Sequence, residues 1–227
     1  MVGADTGEFF PALEKVEEGF RIASSWSKTA RRLNDEFEVS VGFINGKRCM
    51  GGFLELMMHC HYLVSEENAR LGMPEVTLPV VPGMEGCHWS FRKAKKEDRP
   101  KLLKLLLEGE QVKAKDTVGW LVDYANSMND ALQVVWKIVA GKDSGIKKRD
   151  LNENAIKDIS FDIKLNPPDN PGMEAARKAI IDTIKNSCSA NLKDALEIQA
   201  KHSAEFMVSD ACRKGTVGTE CKRVMEV

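Results

Sequence analysis

The sequence has no long apolar run, no paired-cysteine motif and no charge excess of either sign. Lys or Arg interrupts every apolar stretch before it approaches the roughly 20 residues that a membrane-spanning helix needs. The six cysteines are scattered without a CxxC pair, so we expect reduced thiols in a soluble, cytoplasmic protein. With 33 basic and 34 acidic residues the net charge is -1, which argues against binding to nucleic acid or an anionic membrane surface.

A length of 227 residues is sufficient for one α/β domain, or for one domain with a helical appendage, but not for two large cores. Apolar residues at helical spacing over residues 9–34 predict one or two amphipathic helices. Residues 38–44 predict a strand that ends at the turn signal Asn45-Gly46. Residues 53–60 are apolar nearly all round and predict a buried helix.

Further along the chain the pattern predicts short elements and one long interruption. Strands are expected at Tyr62–Ser65 and Val76–Val81, and helices at Cys87–Lys95, Pro100–Leu107, Ala114–Trp120 and Met128–Val139. Residues 141–172 lack periodicity and end in a cluster of Pro, Asn and Gly, so we interpret them as a loop insertion or hinge. Strong helical periodicity returns over residues 173–207.

The most informative pattern is Gly51-Gly52 followed by Glu55, with Glu75 after Met73-Pro74. Glycines at a strand-to-helix junction let backbone N–H groups point outward, where donors and helix dipole together stabilise a developing anion. Two carboxylates that converge on one apolar pocket have their pKa values pushed upward and apart, which suits acid/base catalysis near neutral pH. The alternative is that each Glu is a solvated helix or loop residue.

Four segments together carry a family resemblance. They are Asn45-Gly46, Met50-Gly51-Gly52-Phe53-Leu54-Glu55, Gly72-Met73-Pro74-Glu75-Val76 and Pro82-Gly83-Met84-Glu85-Gly86. This set resembles the core signature of the crotonase (enoyl-CoA hydratase/isomerase) superfamily, and the resemblance extends over most of residues 1–125 and again over 175–225. Phe53 departs from the family pattern, which usually has a glycine there.

The resemblance implies an α/β fold, a ClpP/crotonase-like spiral of ββα units with a helical C-terminal region. In this interpretation residues 1–140 form the crotonase-like core, 141–172 the loop insertion or hinge, and 173–227 a helical trimerisation region. The strands that precede Gly3-Ala4-Asp5 in the family are missing from this chain. We therefore expect either a fragment or a separate chain that supplies the N-terminal strands.

The resemblance also assigns roles to individual residues. Glu55 and Glu75 match the catalytic glutamates of hydratases, while the backbone N–H groups of Ala4 and Gly52 match the oxyanion hole. It implies substrate-binding positions at Asp5, Gly51, Gly83, Glu85 and Lys222. For Glu85 two interpretations stay open, a group for substrate-specific chemistry or a solvated loop charge. Lys222 matches basic residues that contact CoA phosphates, often from a neighbouring subunit.

The function implied is addition of water to an α,β-unsaturated acyl-CoA, or its removal, with CoA as part of the substrate and no other cofactor. The alternatives are enoyl-CoA isomerisation, ring-opening hydrolysis of an acyl-CoA, and a non-catalytic subunit that assembles with a partner chain. A homo-oligomer, trimer or dimer of trimers, is expected from the resemblance. We expect no metal, because His59 and His61 are two positions apart and do not share a helical face.

Overall fold

A computed structural model of the chain describes residues 9–219. The α-helices of this part are α1 (Phe10–Glu14), α2 (Val16–Asp35), α3 (Gly52–Met58), α4 (Trp89–Lys93), α5 (Arg99–Glu108), α6 (Met128–Val139), α7 (Pro171–Ser189), α8 (Leu192–Met207) and α9 (Asp210–Lys214). The strands are β1 (Val41–Ile44), β2 (Arg48–Met50), β3 (Tyr62–Glu66), β4 (Arg70–Gly72), β5 (Gln111–Lys113) and β6 (Tyr124–Asn126). One-turn 3-10 helices lie at Pro74–Thr77, Lys96–Asp98 and Ala114–Thr117.

The strands form two three-stranded sheets, and the first four strands, β1 to β4, alternate between them. In the first sheet β1, β3 and β6 lie side by side and are all parallel. In the second, β2 and β4 are parallel and β5 pairs antiparallel with β4. The chain thus runs β1 to β2 to α3 and then repeats with β3 and β4. This alternation is the spiral of ββα units that the resemblance implies.

Local sequence explains where the helices after β6 begin. The side chains of Ser127, Asn170, Asn191 and Ser209 each accept a hydrogen bond from a backbone N–H of the first turn, in α6, α7, α8 and α9 respectively. Such caps satisfy donors that have no partner inside the helix. The expected helix at Met128–Val139 is confirmed as α6, and the helical region expected after residue 173 is confirmed as α7 and α8.

The predicted strand at Val76–Val81 is wrong. A 3-10 turn occupies Pro74–Thr77, and the backbone N–H groups of Leu78 and Val80 both donate to the Glu75 carbonyl oxygen. Prolines within and beside this apolar run lack the N–H that a strand ladder needs, so it folds as a turn instead. The helix predicted at Ala114–Trp120 is likewise only one 3-10 turn, and the one at Cys87–Lys95 is shorter than expected.

Residues 142–168, which we call the strap, contain no helix or strand, but their apolar side chains between 151 and 165 pack against the main core. Ile156 is buried in the main core, and the Arg92 guanidinium donates to the carbonyl oxygens of Asn152 and Asn154. Further strap side chains packed against the core are Leu151, Ile159, Phe161, Ile163 and Leu165. The domain boundaries at residues 140 and 172 stay predictions. In the described part, no helix is both long and apolar enough to cross a membrane.

Candidate active site

The two glycines of the predicted motif lie where β2 ends and α3 begins. Gly51 has φ 55° and ψ -135°, a backbone conformation that glycine adopts with least strain. A Cβ at Gly51 would lie 2.8 Å from Glu75 Oε1, and one at Gly52 would lie 3.9 Å from Glu55 Oε2. The two carboxylates therefore flank the first turn of α3, whose N–H groups have no acceptor within the helix.

Glu55 lies one turn into α3, and its side chain is buried. Its Oε1 accepts hydrogen bonds from the backbone N–H groups of Met84, at 2.9 Å, and Gly86, at 2.7 Å. Burial raises the pKa of Glu55 to about 7, although these amide donors oppose the shift. The site thus holds this carboxylate in one orientation and lets it change protonation near neutral pH.

Glu75 reaches the same place from the turn after β4, where Pro74 opens a 3-10 helix. Its side chain is buried, and among the described residues Oε2 has no hydrogen-bond partner. Burial, with a contribution from the Glu55 charge, raises the pKa of Glu75 to about 8. An unpartnered carboxyl oxygen at a cavity wall is available to an incoming group.

Both carboxylates line a cavity of about 240 Å³. Its wall is contributed by Phe9, Ala12, Gly19, Ile22, Ala23, Trp26, Met50, Gly51, Gly52, Glu55, Pro74, Glu75, Leu78, Val80, Val81, Gly83, Ser203, Met207 and Val217. Among the described residues, Glu55 and Glu75 are the titratable groups on that wall. The rest is almost entirely apolar, so the cavity can hold a hydrocarbon chain with its reactive end between two acids.

Glu85 is not at the cavity wall and is not a solvated loop charge. Its carboxylate is fully buried on the far side of the 83–86 loop, where Arg31 Nε lies 2.9 Å from Oε2 and His59 Nε2 lies 3.2 Å from Oε2. Burial opposes ionisation, but hydrogen bonds from His59, His88 and Arg31 hold the pKa of Glu85 well below its usual range. Its position does not support a direct contact with substrate.

Of the other predicted site residues, Gly51 and Gly83 lie on the cavity wall. Ala4, Asp5 and Lys222 fall outside the described residues, so their roles stay predictions. The two candidate metal ligands are used elsewhere, since His59 Nδ1 lies 2.8 Å from the Glu55 carbonyl oxygen and His61 Nδ1 accepts from Ser40. Within residues 9–219, no cluster of three His, Cys, Asp or Glu side chains is arranged to hold a metal.

No protein-family model matches the sequence. A fatty acid oxidation complex subunit alpha from Vibrio cholerae is 29% identical over an alignment of 232 positions, which covers 92% of this chain and 31% of the relative. A probable enoyl-CoA hydratase from Bacillus subtilis is 31% identical over 116 residues, 51% of this chain and 43% of the relative. These similarities support a crotonase-superfamily member that covers part of the domain.

Solved structures confirm the crotonase fold. A carnitinyl-CoA dehydratase from Mycobacterium thermoresistibile superimposes with a TM-score of 0.66 at 15% identity, over 100% of this chain and 72% of that one. An enoyl-CoA hydratase from Mycobacterium smegmatis gives a TM-score of 0.60 at 14% identity, over 92% and 60%. The chain covers part of the crotonase domain and less than half the length of either sequence relative named above.

Proposed function

We propose that this crotonase-superfamily chain forms the acyl-CoA-handling part of an enoyl-CoA hydratase-type active site, which adds water to an α,β-unsaturated acyl-CoA. One observation carries the proposal. Glu55 and Glu75 converge on a single apolar cavity beside Gly51-Gly52, and no other titratable side chain among the described residues lines it. Family-level support comes from relatives named as enoyl-CoA hydratases.

The surroundings of the two carboxylates favour different catalytic roles for Glu55 and Glu75. Glu55 accepts two backbone N–H bonds, which favour its ionised form, whereas Glu75 has an unpartnered oxygen and the higher pKa, about 8. Glu55 as carboxylate takes a proton from water while the water oxygen bonds to the β carbon. Glu75 as carboxylic acid delivers its proton to the α carbon. Proton return from Glu55 to Glu75 restores the pair for the next turnover.

The charge that develops in this step is on the thioester oxygen. Attack at the β carbon pushes electrons through the conjugated system to that oxygen, and a nearby N–H donor stabilises the resulting anion. Gly52 at the start of α3 is the candidate donor, and Ala4 is the second. By analogy with other oxyanion holes, loss of one donor would cost roughly 3 kcal/mol of barrier stabilisation.

Hydration of crotonyl-CoA tests the proposal directly. The absorbance of the conjugated enone falls as water adds, and we expect Glu75→Gln to reduce the rate to background because Gln cannot donate the proton. Glu97→Gln, at an exposed position away from the cavity, is the matched control and should retain the wild-type rate. A folded wild-type protein that leaves every short and medium enoyl-CoA unchanged would remove the hydratase proposal.

Glu55→Gln separates hydration from double-bond isomerisation. Hydration needs both carboxylates, so loss of the base should slow it by roughly 100-fold or more. An isomerase can shuttle one proton with Glu75 alone. Full turnover of Glu55→Gln with a β,γ-unsaturated acyl-CoA would therefore assign isomerase chemistry.

The alternative function is assembly with a partner chain. The observation behind it is that this chain aligns with only 31% and 43% of the lengths of the two sequence relatives. Native mass spectrometry of the purified protein reports its bound chains and its oligomeric state together. A second polypeptide that restores activity to an inactive chain would assign the assembly role. A trimer or hexamer of this chain alone, with hydratase activity, would speak for the homo-oligomer expected from the resemblance.

A further inference from the structure

The loop that holds Glu55 has an unusual residue at its centre. Met84 and Gly86 donate their backbone N–H groups to Glu55 Oε1, and Glu85 lies between them with φ 66°. A non-glycine residue in this left-handed region is uncommon and carries a conformational cost. The conformation persists only if surrounding contacts determine it. At Glu85 those contacts come from its own side chain.

The Glu85 carboxylate is anchored from several separate elements. Arg31 on α2 donates through both Nε and a terminal nitrogen to the two carboxylate oxygens, and it also donates to the Leu192 carbonyl oxygen at the start of α8. His59, at the end of α3, and His88, at the start of α4, place Nε2 at 3.2 Å and 3.1 Å from the carboxylate. A buried carboxylate with a forked Arg partner is held in both position and orientation.

The two imidazoles connect Glu85 to neighbouring elements. His59 faces the carbonyl oxygen of Glu55 with Nδ1 and the Glu85 carboxylate with Nε2. His88 Nδ1 instead accepts from Arg92 Nε, which assigns a neutral ring with hydrogen on Nε2. His59 thus contacts both Glu55 and its loop.

We propose that Arg31, Glu85 and His59 form a positioning unit that holds the 83–86 loop so that its two N–H groups fix the Glu55 carboxylate. None of the three lines the cavity, so they act on the reaction only through Glu55. This inference rests on the proposed function for its kinetic consequence. Its structural consequence, the two amide bonds to Glu55, stands without it.

Glu85 could affect Glu55 through its negative charge or by positioning the loop. The two effects predict opposite changes in the pKa of Glu55 in Glu85→Gln, so the proposal can be tested. The groups facing Glu55 are Glu75, Glu85, the Cys87 thiol and the loop amides. Those facing Glu85 are Arg31, His59 and His88, with Arg92 behind His88. If Glu85 acted only as a nearby negative charge, its removal would lower the pKa of Glu55. If it positions the loop, the amide bonds weaken and that pKa rises, because the amides outweigh the Glu85 charge.

The experiment compares Glu85→Gln and Arg31→Met with the matched control Arg32→Met. The Arg32 side chain is exposed and pairs with Glu36, the C-cap of α2. Two readouts are followed against pH: the rate of crotonyl-CoA hydration, and the amide resonance of Gly86 in ¹⁵N-labelled protein. We expect kcat to fall on the order of 100-fold with little change in KM. The acidic limb of the pH profile and the Gly86 titration should move to higher pH, while Arg32→Met matches wild type.

Folded Glu85→Gln and Arg31→Met proteins that keep a wild-type kcat and Gly86 titration, or whose Gly86 titration moves to lower pH, would overturn the proposal. If the wild type hydrates no enoyl-CoA, the hydratase proposal fails, but the Gly86 titration still decides the positioning claim. If the variants do not fold, amide hydrogen exchange in the wild-type protein tests the positioning claim. The Met84 and Gly86 amides should exchange far more slowly than that of the exposed turn residue Gly46, and equal rates would contradict the proposal.

Discussion

Three buried glutamates lie close together in this protein, and their surroundings give them opposite properties. Burial alone raises the pKa of a carboxyl group because the charged form loses its hydration. Glu55 and Glu75 face an apolar cavity that no cation among residues 9–219 lines, so the effect of burial prevails. Glu85 meets Arg31 and His59 instead, and their hydrogen bonds reverse the direction. All three residues are glutamates, so the groups around each carboxylate, and not the residue type, determine whether its pKa is raised or lowered.

The raised pKa of Glu75 predicts how stability changes with pH. Its ordinary value of 4.5 applies to the unfolded chain, and about 8 applies to the folded one. Below pH 4.5 the group is neutral in both states and costs nothing. As pH rises from 4.5 to 8 only the unfolded state ionises, so the free energy of unfolding falls by up to about 1.4 kcal/mol per pH unit. Glu75→Gln should therefore be more stable than wild type at pH 8, on the order of 4 kcal/mol, and within about 1 kcal/mol of it at pH 5.

Urea denaturation at the two pH values measures this difference, and Glu97→Gln serves as the exposed control that should match wild type at both. Equal stability of Glu75→Gln and wild type at pH 8 would show that Glu75 ionises in the folded protein without cost. Water would then solvate the Glu75 carboxylate, and Glu75 would not be available as an acid near neutral pH.

At the scale of elements, prediction from sequence succeeded where the signal is local. The periodicity and Ser127 cap of α6 lie within one segment, and the expected Met128–Val139 is what the structure has. The Val76–Val81 prediction is wrong because the prolines within and beside this apolar segment leave too few N–H donors for a strand. The Gly51-Gly52 junction and the family resemblance predict that Glu55 and Glu75 converge, and both line one cavity.

The contacts that sequence reasoning missed are those between distant segments. Arg31 lies in an amphipathic helix where any Arg is expected to be solvated, and nothing near it in sequence signals a partner at Glu85. The signal in the sequence is weak: an acidic residue, Glu85, within the glycine-containing loop, and two histidines, His59 and His88, in apolar segments. Each has a local explanation, and only the fold brings them together.

The strap is a second element whose role depends on packing rather than on secondary structure. If it is part of the core, Ile156→Ala should lower the free energy of unfolding by about 2–5 kcal/mol, because it removes a side chain that is 4% exposed. Lys157→Ala, at the exposed neighbouring position, should change it by less than about 0.5 kcal/mol. Chemical denaturation measures both variants. A similar small effect for the two would show that the strap detaches before the core unfolds.

At the scale of the whole molecule, the cavity lies between parts of the chain that are distant in sequence. The β2 to α3 junction contributes part of its wall and one carboxylate, and α2 and α8 contribute another part of the wall. The same two helices meet at Gly19, where a Cβ would lie 3.1 Å from the Cα of Ala204. Gly19 thus lies both at the α2–α8 contact and on the cavity wall, so we expect the packing of these two helices to affect the shape of the cavity.

Gly19→Val tests this coupling between helix packing and the cavity. The added side chain meets helix backbone, which cannot move aside alone, so α2 shifts away from α8 at a cost of about 1–3 kcal/mol in stability. Because Gly19 also lines the cavity, the KM for an enoyl-CoA should rise in the same variant. Ser25→Val, at an exposed position of α2, is the control and should change neither quantity. Wild-type stability and KM in Gly19→Val would mean that the two helices have room to separate and that the cavity width is set elsewhere.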